Sequence, residues 1–239
     1  MKGFLRVGMV LGLMSCSNAG ELADGVIEIQ VIAPSPAIVD FGDTTQYVAV
    51  PLNANGDSVG APVLWVTPDD STIIIVNPAT GLVTGVKPNS QGRVQAVLGT
   101  LTTAFFTLTI LARPDTIVFP ADSVQTVSAD ANTSLPLLPV LESDNPAGPT
   151  AGHRVIFTIV QPTFTDTTGV QNVQLGVGPA RPLTQTVTTA ADGTPAAGVI
   201  VSRIDGRASP DSVLVEVTAY QSSGNPVPGS GQRFLVLFE

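Results

Sequence analysis

Apolar residues never run far in this chain before a glycine, proline, asparagine or aspartate stops them. In some of these stretches they alternate. In "DSVLVEVTAY", Val213, Val215, Val217 and Ala219 fall on one side, and Leu214, Glu216, Thr218 and Tyr220 on the other. Alternation is the period of a strand, whose successive side chains point to opposite faces, and a mixed second side predicts a sheet with one wetter face. No segment sustains a 3.6-residue apolar period with caps, so almost no helix is expected. Short strands punctuated every ten residues or so, with 23 glycines and 20 prolines supplying the breaks, are the pattern of an all-β sandwich or barrel. The 239 residues leave room for two sandwiches of ~100 residues each.

The first domain is expected over residues 28–112. Its candidate strands are "EIQVIAP", "TTQYVAVPL", "PVLWV", "STIIIV", "GLVTGV", "RVQAVLG" and "TAFFTLTIL". Asn55-Gly56 and Asn77-Pro78 mark turns. Val63 and Trp65 share a face, and Phe106, Leu108 and Ile110 alternate inward. The stretches "FGDTTQYVAV", "NGDSVGAPVLWVTPDDSTIIIVNPATGLVTGV" and "GRVQAVLGTLTTAFFTLTI" resemble a bacterial immunoglobulin-like domain of group 2. That resemblance implies a sandwich of the kind found in surface proteins, adhesins and secreted enzymes. Leu111-Ala112-Arg113-Pro114 reads as a short, stiff boundary, which argues for an extended rod with little freedom at the joint.

Residues 113–239 form the second expected domain. Its candidate strands are "TIVFP", "SVQTVSA", "LPLLPVLE", "HRVIFTIV", "VQNVQLGV", "LTQTVTTA", "AAGVIVSRI", "DSVLVEVTAY" and "RFLVLFE". "ESDNPAGPTAGHRVIF" and "TTAADGTPAAGVIV" resemble invasin-like, group 1 bacterial immunoglobulin domains. The expected fold is therefore all-β, with two immunoglobulin-like β-sandwich domains in tandem after a signal peptide and a short tether.

The signal is read from the start of the chain. Lys2 and Arg6 precede an apolar run, residues 7–14, and the polar sequence begins after Cys16. The pattern is that of a secretory signal, and the run is too short to span a bilayer, which needs ~20 apolar residues. Leu13, Met14, Ser15 and Cys16 resemble the lipobox of bacterial lipoproteins, with Met14 where Ala, Ser or Thr is usual. The resemblance implies that residues 1–15 are removed as a lipoprotein signal peptide and that Cys16 carries the acyl chains. Residues 16–27 are then a lipidated N-terminus and tether. Each buried methylene contributes ~0.8 kcal/mol, and several chains hold firmly where one holds weakly. Ser17, by the bacterial sorting rule, implies the outer membrane in a two-membrane host. An ordinary signal peptide that includes a cysteine is the alternative, but it would leave a reactive thiol. Cys16 is the only cysteine, so no intramolecular disulfide is possible and stability rests on packed core.

Charge narrows the partners. The 19 acidic residues outnumber the 10 basic ones. Removing residues 1–15 deletes two basic residues and no acid, and leaves Lys87 as the only lysine. Such a surface repels nucleic acid, whose binding depends on Lys and Arg contacts to phosphate.

Chemistry is sparse. His153 is the sole histidine, and a His/Cys metal site needs several such ligands. It precedes a strand and reads as a loop-edge polar residue. A Ser-His-Asp triad would have to use it, and no Gly-x-Ser-x-Gly elbow is present. Asp69-Asp70 and Asp192-Gly193 read as turns rather than as a carboxylate pair or half a calcium loop. Trp65 reads as the core tryptophan of its sandwich. Tyr47 and Tyr220 read as surface-contact candidates. No cofactor is expected, and no catalytic or metal residues are assigned. The composition and resemblances together point to an envelope-anchored, non-catalytic structural or adhesive lipoprotein with a protein or polysaccharide partner. The alternative is a carbohydrate-binding or accessory module of a surface enzyme complex, which would need a row of exposed aromatics.

Overall fold

In the computed structural model, the described residues are 25–239 apart from 122, 129, 163–170, 178, 179, 181 and 205–210. Regular structure among them is β-strand, arranged as two immunoglobulin-like β-sandwiches. The first contains β1 (Val26–Ile32), β2 (Ile38–Asp40), β3 (Thr44–Gln46), β4 (Val48–Asn53), β5 (Leu64–Val66), β6 (Ile74–Val76), β7 (Leu82–Gly85), β8 (Ser90–Leu98), β9 (Leu101–Thr102) and β10 (Phe106–Leu111). One sheet has the order β2-β10-β8-β5, with β9 hairpinned onto β8. The other has the order β3-β7-β6, and β1 and β4 form a separate ribbon. Val39, Trp65, Val94, Ala96, Leu108 and Ile110 from the first sheet meet Ile74 and Val83 from the second in one core. The inward alternation of Phe106, Leu108 and Ile110 is present, with Phe106 half-buried and the other two fully buried.

The second sandwich contains β11 (Thr116–Val118), β12 (Val124–Val127), β13 (Val140–Asp144), β14 (Ala147–Pro149), β15 (Arg154–Gln161), β16 (Val173–Leu175), β17 (Thr184–Thr188), β18 (Val201–Arg203), β19 (Ser212–Ala219) and β20 (Gln232–Phe238). A sheet ordered β12-β20-β19-β15-β17 faces β11-β13-β14 and the β16-β18 pair. Val213, Val215, Val217 and Ala219 are buried, and Leu214, Glu216 and Thr218 are partly exposed on the opposite face. This is the one-sided burial that the alternation predicts. The core adds Val155, Phe157, Phe234 and Val236 from the large sheet and Ile117, Leu141, Val173, Leu175 and Val201 from the opposing layer.

Both sandwiches close in the same way. A short early strand pairs in parallel with the last strand: β2 with β10 over three register pairs, and β12 with β20 over four.

Four segments differ from expectation. "TTQYVAVPL" is not one strand. It divides at Tyr47, with β3 pairing to β7 and β4 to β1. The division has a local cause, because the Tyr47 N–H donates to Gly81 O and the Gln46 side-chain amide donates to Tyr47 O and Thr80 O. In "LPLLPVLE", the prolines Pro136 and Pro139 cannot donate to a ladder. Only the end of that segment enters β13, and Leu137 bridges to Val199 instead. β2 and β14, three residues each, carry too short a pattern to be read from alternation.

Candidate functional site

Leu13, Met14, Ser15 and Cys16 lie outside the described residues. Trp65 lies on β5, 4% exposed, with its ring tilted 58° against Tyr47 at 5.8 Å between centroids. Tyr47, expected at the surface, is instead completely buried and also meets Phe106 at 6.2 Å. Tyrosine is amphipathic, so its type alone does not say which end of the ring faces inward. Its hydroxyl has no hydrogen-bond partner, and burial pushes the phenol up to about 12.

Asp69 and Asp70 form the turn before β6. Asp69 accepts the backbone N–H of Arg93 at 2.6 Å and pairs with its guanidinium at 2.6 Å. Those contacts hold its carboxyl below the usual range. Asp70 accepts the Thr72 N–H. The two carboxylates are thus occupied by different partners. At the other turn, Asp192 accepts the Thr194 N–H and hydroxyl, and Gly193 takes a positive φ. Among the described residues, no group of three or more His, Cys, Asp and Glu is placed to hold a metal ion.

His153 departs most from its expected surroundings. It does sit at the loop edge just before β15, but it is 4% exposed and stands at the junction of the two sandwiches. Its Nε2 lies 2.8 Å from the carbonyl of Ala112, and its Nδ1 lies 3.8 Å from Oδ1 of Asp40. Asp40, the last residue of β2, is fully buried. Its N–H donates to the Ser222 hydroxyl at 2.8 Å, and the Ser222 N–H donates back to its Oδ2 at 2.7 Å. Gln221 donates its side-chain amide to Pro114 O at 3.0 Å, also buried. Leu111 lies along Gly152, where an added Cβ would come within 3.2 Å of its side chain. Burial raises the Asp40 carboxyl above its ordinary value. The Ser222 amide and the His153 ring pull against that rise, and Asp43 adds to it.

Aspartate, histidine and serine, the residue types of a hydrolytic triad, therefore meet at one point. The wiring is not that of a nucleophile. In a triad the imidazole Nε2 takes the serine proton. Here Nε2 faces a carbonyl, and the serine hydroxyl accepts the N–H of the aspartate itself. The arrangement joins β2 and the linker of one sandwich to the loop before β15 and the loop after β19 of the other. No local pattern in the sequence signals it, because Asp40 and Ser222 are 182 positions apart.

Exposed aromatic rings among the described residues are Phe105 and Tyr220. Phe105 lies beneath the Arg93 guanidinium on the first sandwich, 5.7 Å from its ring centroid. Tyr220 follows β19 on the second, so the two do not form a row.

No family model matches the chain, and no curated protein matches it. Solved structures resemble it at low identity. The Yersinia pseudotuberculosis adhesin InvE is 15% identical over 91% of this chain, with a TM-score of 0.40. Domains 4 and 5 of the S-layer protein SbsC are 15% identical, cover 89% of this chain and 98% of their own, and give a TM-score of 0.32. The fibronectin(III)-like modules of Clostridium thermocellum CbhA are 10% identical, cover 88% of this chain and 94% of their own, and give 0.36. The chain spans 61% of the length of the InvE structure. It is similar in architecture to these adhesin, S-layer and fibronectin-like modules.

Proposed function

We propose that this chain is a non-catalytic surface module of a bacterial envelope, moored by lipid on Cys16, whose two sandwiches act together as a spacer presenting loops to a protein or glycan partner. The observation that carries the reading is the buried joint. A Ser-His-Asp triad needs a histidine with a ring nitrogen aimed at the serine hydroxyl, and His153, the sole histidine, faces a carbonyl and a carboxylate. Polar groups buried at a joint cost free energy unless they find partners. The Asp40 N–H and Oδ2 and the Gln221 amide find them across it, with Ser222 and Pro114 O as partners, which ties the sandwiches together by more than the linker. The mooring rests on the lipobox resemblance of Leu13, Met14, Ser15 and Cys16, and the outer-membrane address on Ser17.

Growth of producing cells with a labelled fatty acid tests the mooring. Label is expected on the intact chain and absent from Cys16→Ala. Equal label in both, or none in either, would remove the lipid from the reading. Pull-down of cell-envelope proteins and a glycan array on the same preparation then identify the partner class.

A further inference from the structure

The carbonyl of Ala112 can only accept, so the His153 Nε2 that faces it at 2.8 Å carries hydrogen. The other ring nitrogen, Nδ1, then faces Oδ1 of Asp40 at 3.8 Å. That oxygen is buried and has no hydrogen-bond partner, whereas Oδ2 receives the Ser222 amide. With no proton between them, two lone pairs oppose one another out of reach of water, and one carboxylate oxygen stays unsatisfied. One proton, on the nitrogen or on the oxygen, relieves that opposition, although 3.8 Å is too long for a hydrogen bond.

We propose that the joint between the sandwiches is a proton-dependent latch: one proton held between Asp40 Oδ1 and His153 Nδ1 keeps it closed, and loss of that proton as the pH rises lets the two sandwiches part. The reading does not depend on the lipid anchor or on the partner.

The groups around the pair have been assigned to other contacts or act in the same direction. Asp43, on the turn after β2, is the other carboxylate felt by Asp40 and raises its proton affinity. Arg113 in the linker is turned to Asp115, 3.6 Å away. Arg154, next to His153, is exposed. Thr189 and Gln221, packed on either side, are neutral, and they take the His153 N–H and reach Pro114 O respectively. The sign follows from linkage. The Asp40 carboxyl is raised in the closed joint above its ordinary value. Its contribution to closure is therefore complete below that ordinary value and is lost as the pH rises through the raised one.

The test is amide hydrogen exchange on the full chain from pH 4 to 9, corrected for intrinsic rates. Protection at the Asp40 and Ser222 amides, which bond across the joint, is expected to fall by up to about tenfold per pH unit above the midpoint, the limit for one coupled proton. Protection at Leu108 and Val215, deep in the two cores, is expected to hold. Asp40→Asn keeps an oxygen for the Ser222 amide and removes the carboxyl, so its protection should not fall as the pH rises. The wild-type chain carries a second readout in the side-chain carboxyl ¹³C signal of Asp40, which is expected to move with the same midpoint as the protection. Wild-type protection independent of pH, an Asp40 carboxyl signal that ignores the transition, or an Asp40→Asn variant with the wild-type profile would each overturn the latch.

Discussion

Tyr47 contributes a ring to the first core and a hydroxyl with nothing to bond. An unmet buried hydroxyl costs ~1–3 kcal/mol. Tyr47→Phe keeps the contacts with Trp65 and Phe106 and removes that cost, so the variant is expected to be as stable as the parent or more so in urea at pH 7. Alkali should separate the two further. The folded phenol is pushed up to about 12, against ~10 in an unfolded chain. Its contribution is whole below the lower value and drains away as the pH climbs through the upper one. The parent should therefore lose stability between those values by a route the Phe variant lacks, and fluorescence of Trp65, the only tryptophan, follows both unfolding curves. A Tyr47→Phe variant much weaker than the parent at pH 7 would mean that the hydroxyl has a partner.

The turn between β6 and β7 shows how one element organises its neighbours. The side-chain oxygen of Asn77 accepts the N–H groups of Ala79 and Thr80, and its carbonyl accepts that of Gly81. From this turn Pro78 O takes the Trp65 N–H and Gly81 O takes the Tyr47 N–H. Strands of both sheets are thereby tied to a single loop. Gly81 adopts φ +73°, and a Cβ there would lie 2.5 Å from Tyr47 O and from Trp65 Nε1. Gly81→Ala is expected to cost about 2–4 kcal/mol, from the left-handed backbone and the clash together, read as a lower urea midpoint of the Trp65 signal. An unchanged midpoint would mean that the loop can step aside. At this scale the sequence was most informative where a strand is long and one-sided. β19 and β10 could be read residue by residue, and so could the Asn55-Gly56 and Asp192-Gly193 turns, because alternation and turn chemistry are local. The strand break at Tyr47 was not legible, since Thr44 to Val50 holds no glycine, proline, asparagine or aspartate to mark it and the interruption comes from Gly81. The joint was hidden for the same reason. Asp40, His153 and Ser222 are unremarkable in their own segments, and only the pairing of the two sandwiches gives each of them a partner.

Across the whole molecule, each sandwich places its early strand β2 or β12 alongside its final strand, running the same way. If the chain is pulled from its two ends, neighbouring parallel strands are drawn in opposite directions along their length. The hydrogen bonds between them lie across that force and must give together, whereas an antiparallel hairpin pulled at its open end would unzip one rung at a time. The β1–β4 ribbon lies outside the first such clamp and should peel away early. The clamp of the second sandwich has four register pairs against three in the first. Stretching single molecules in an atomic force microscope should therefore give two rupture peaks, the weaker releasing the contour length of the first sandwich. A protein wired in this manner would withstand a tug of short duration far better than one whose terminal strands sat in open-ended hairpins.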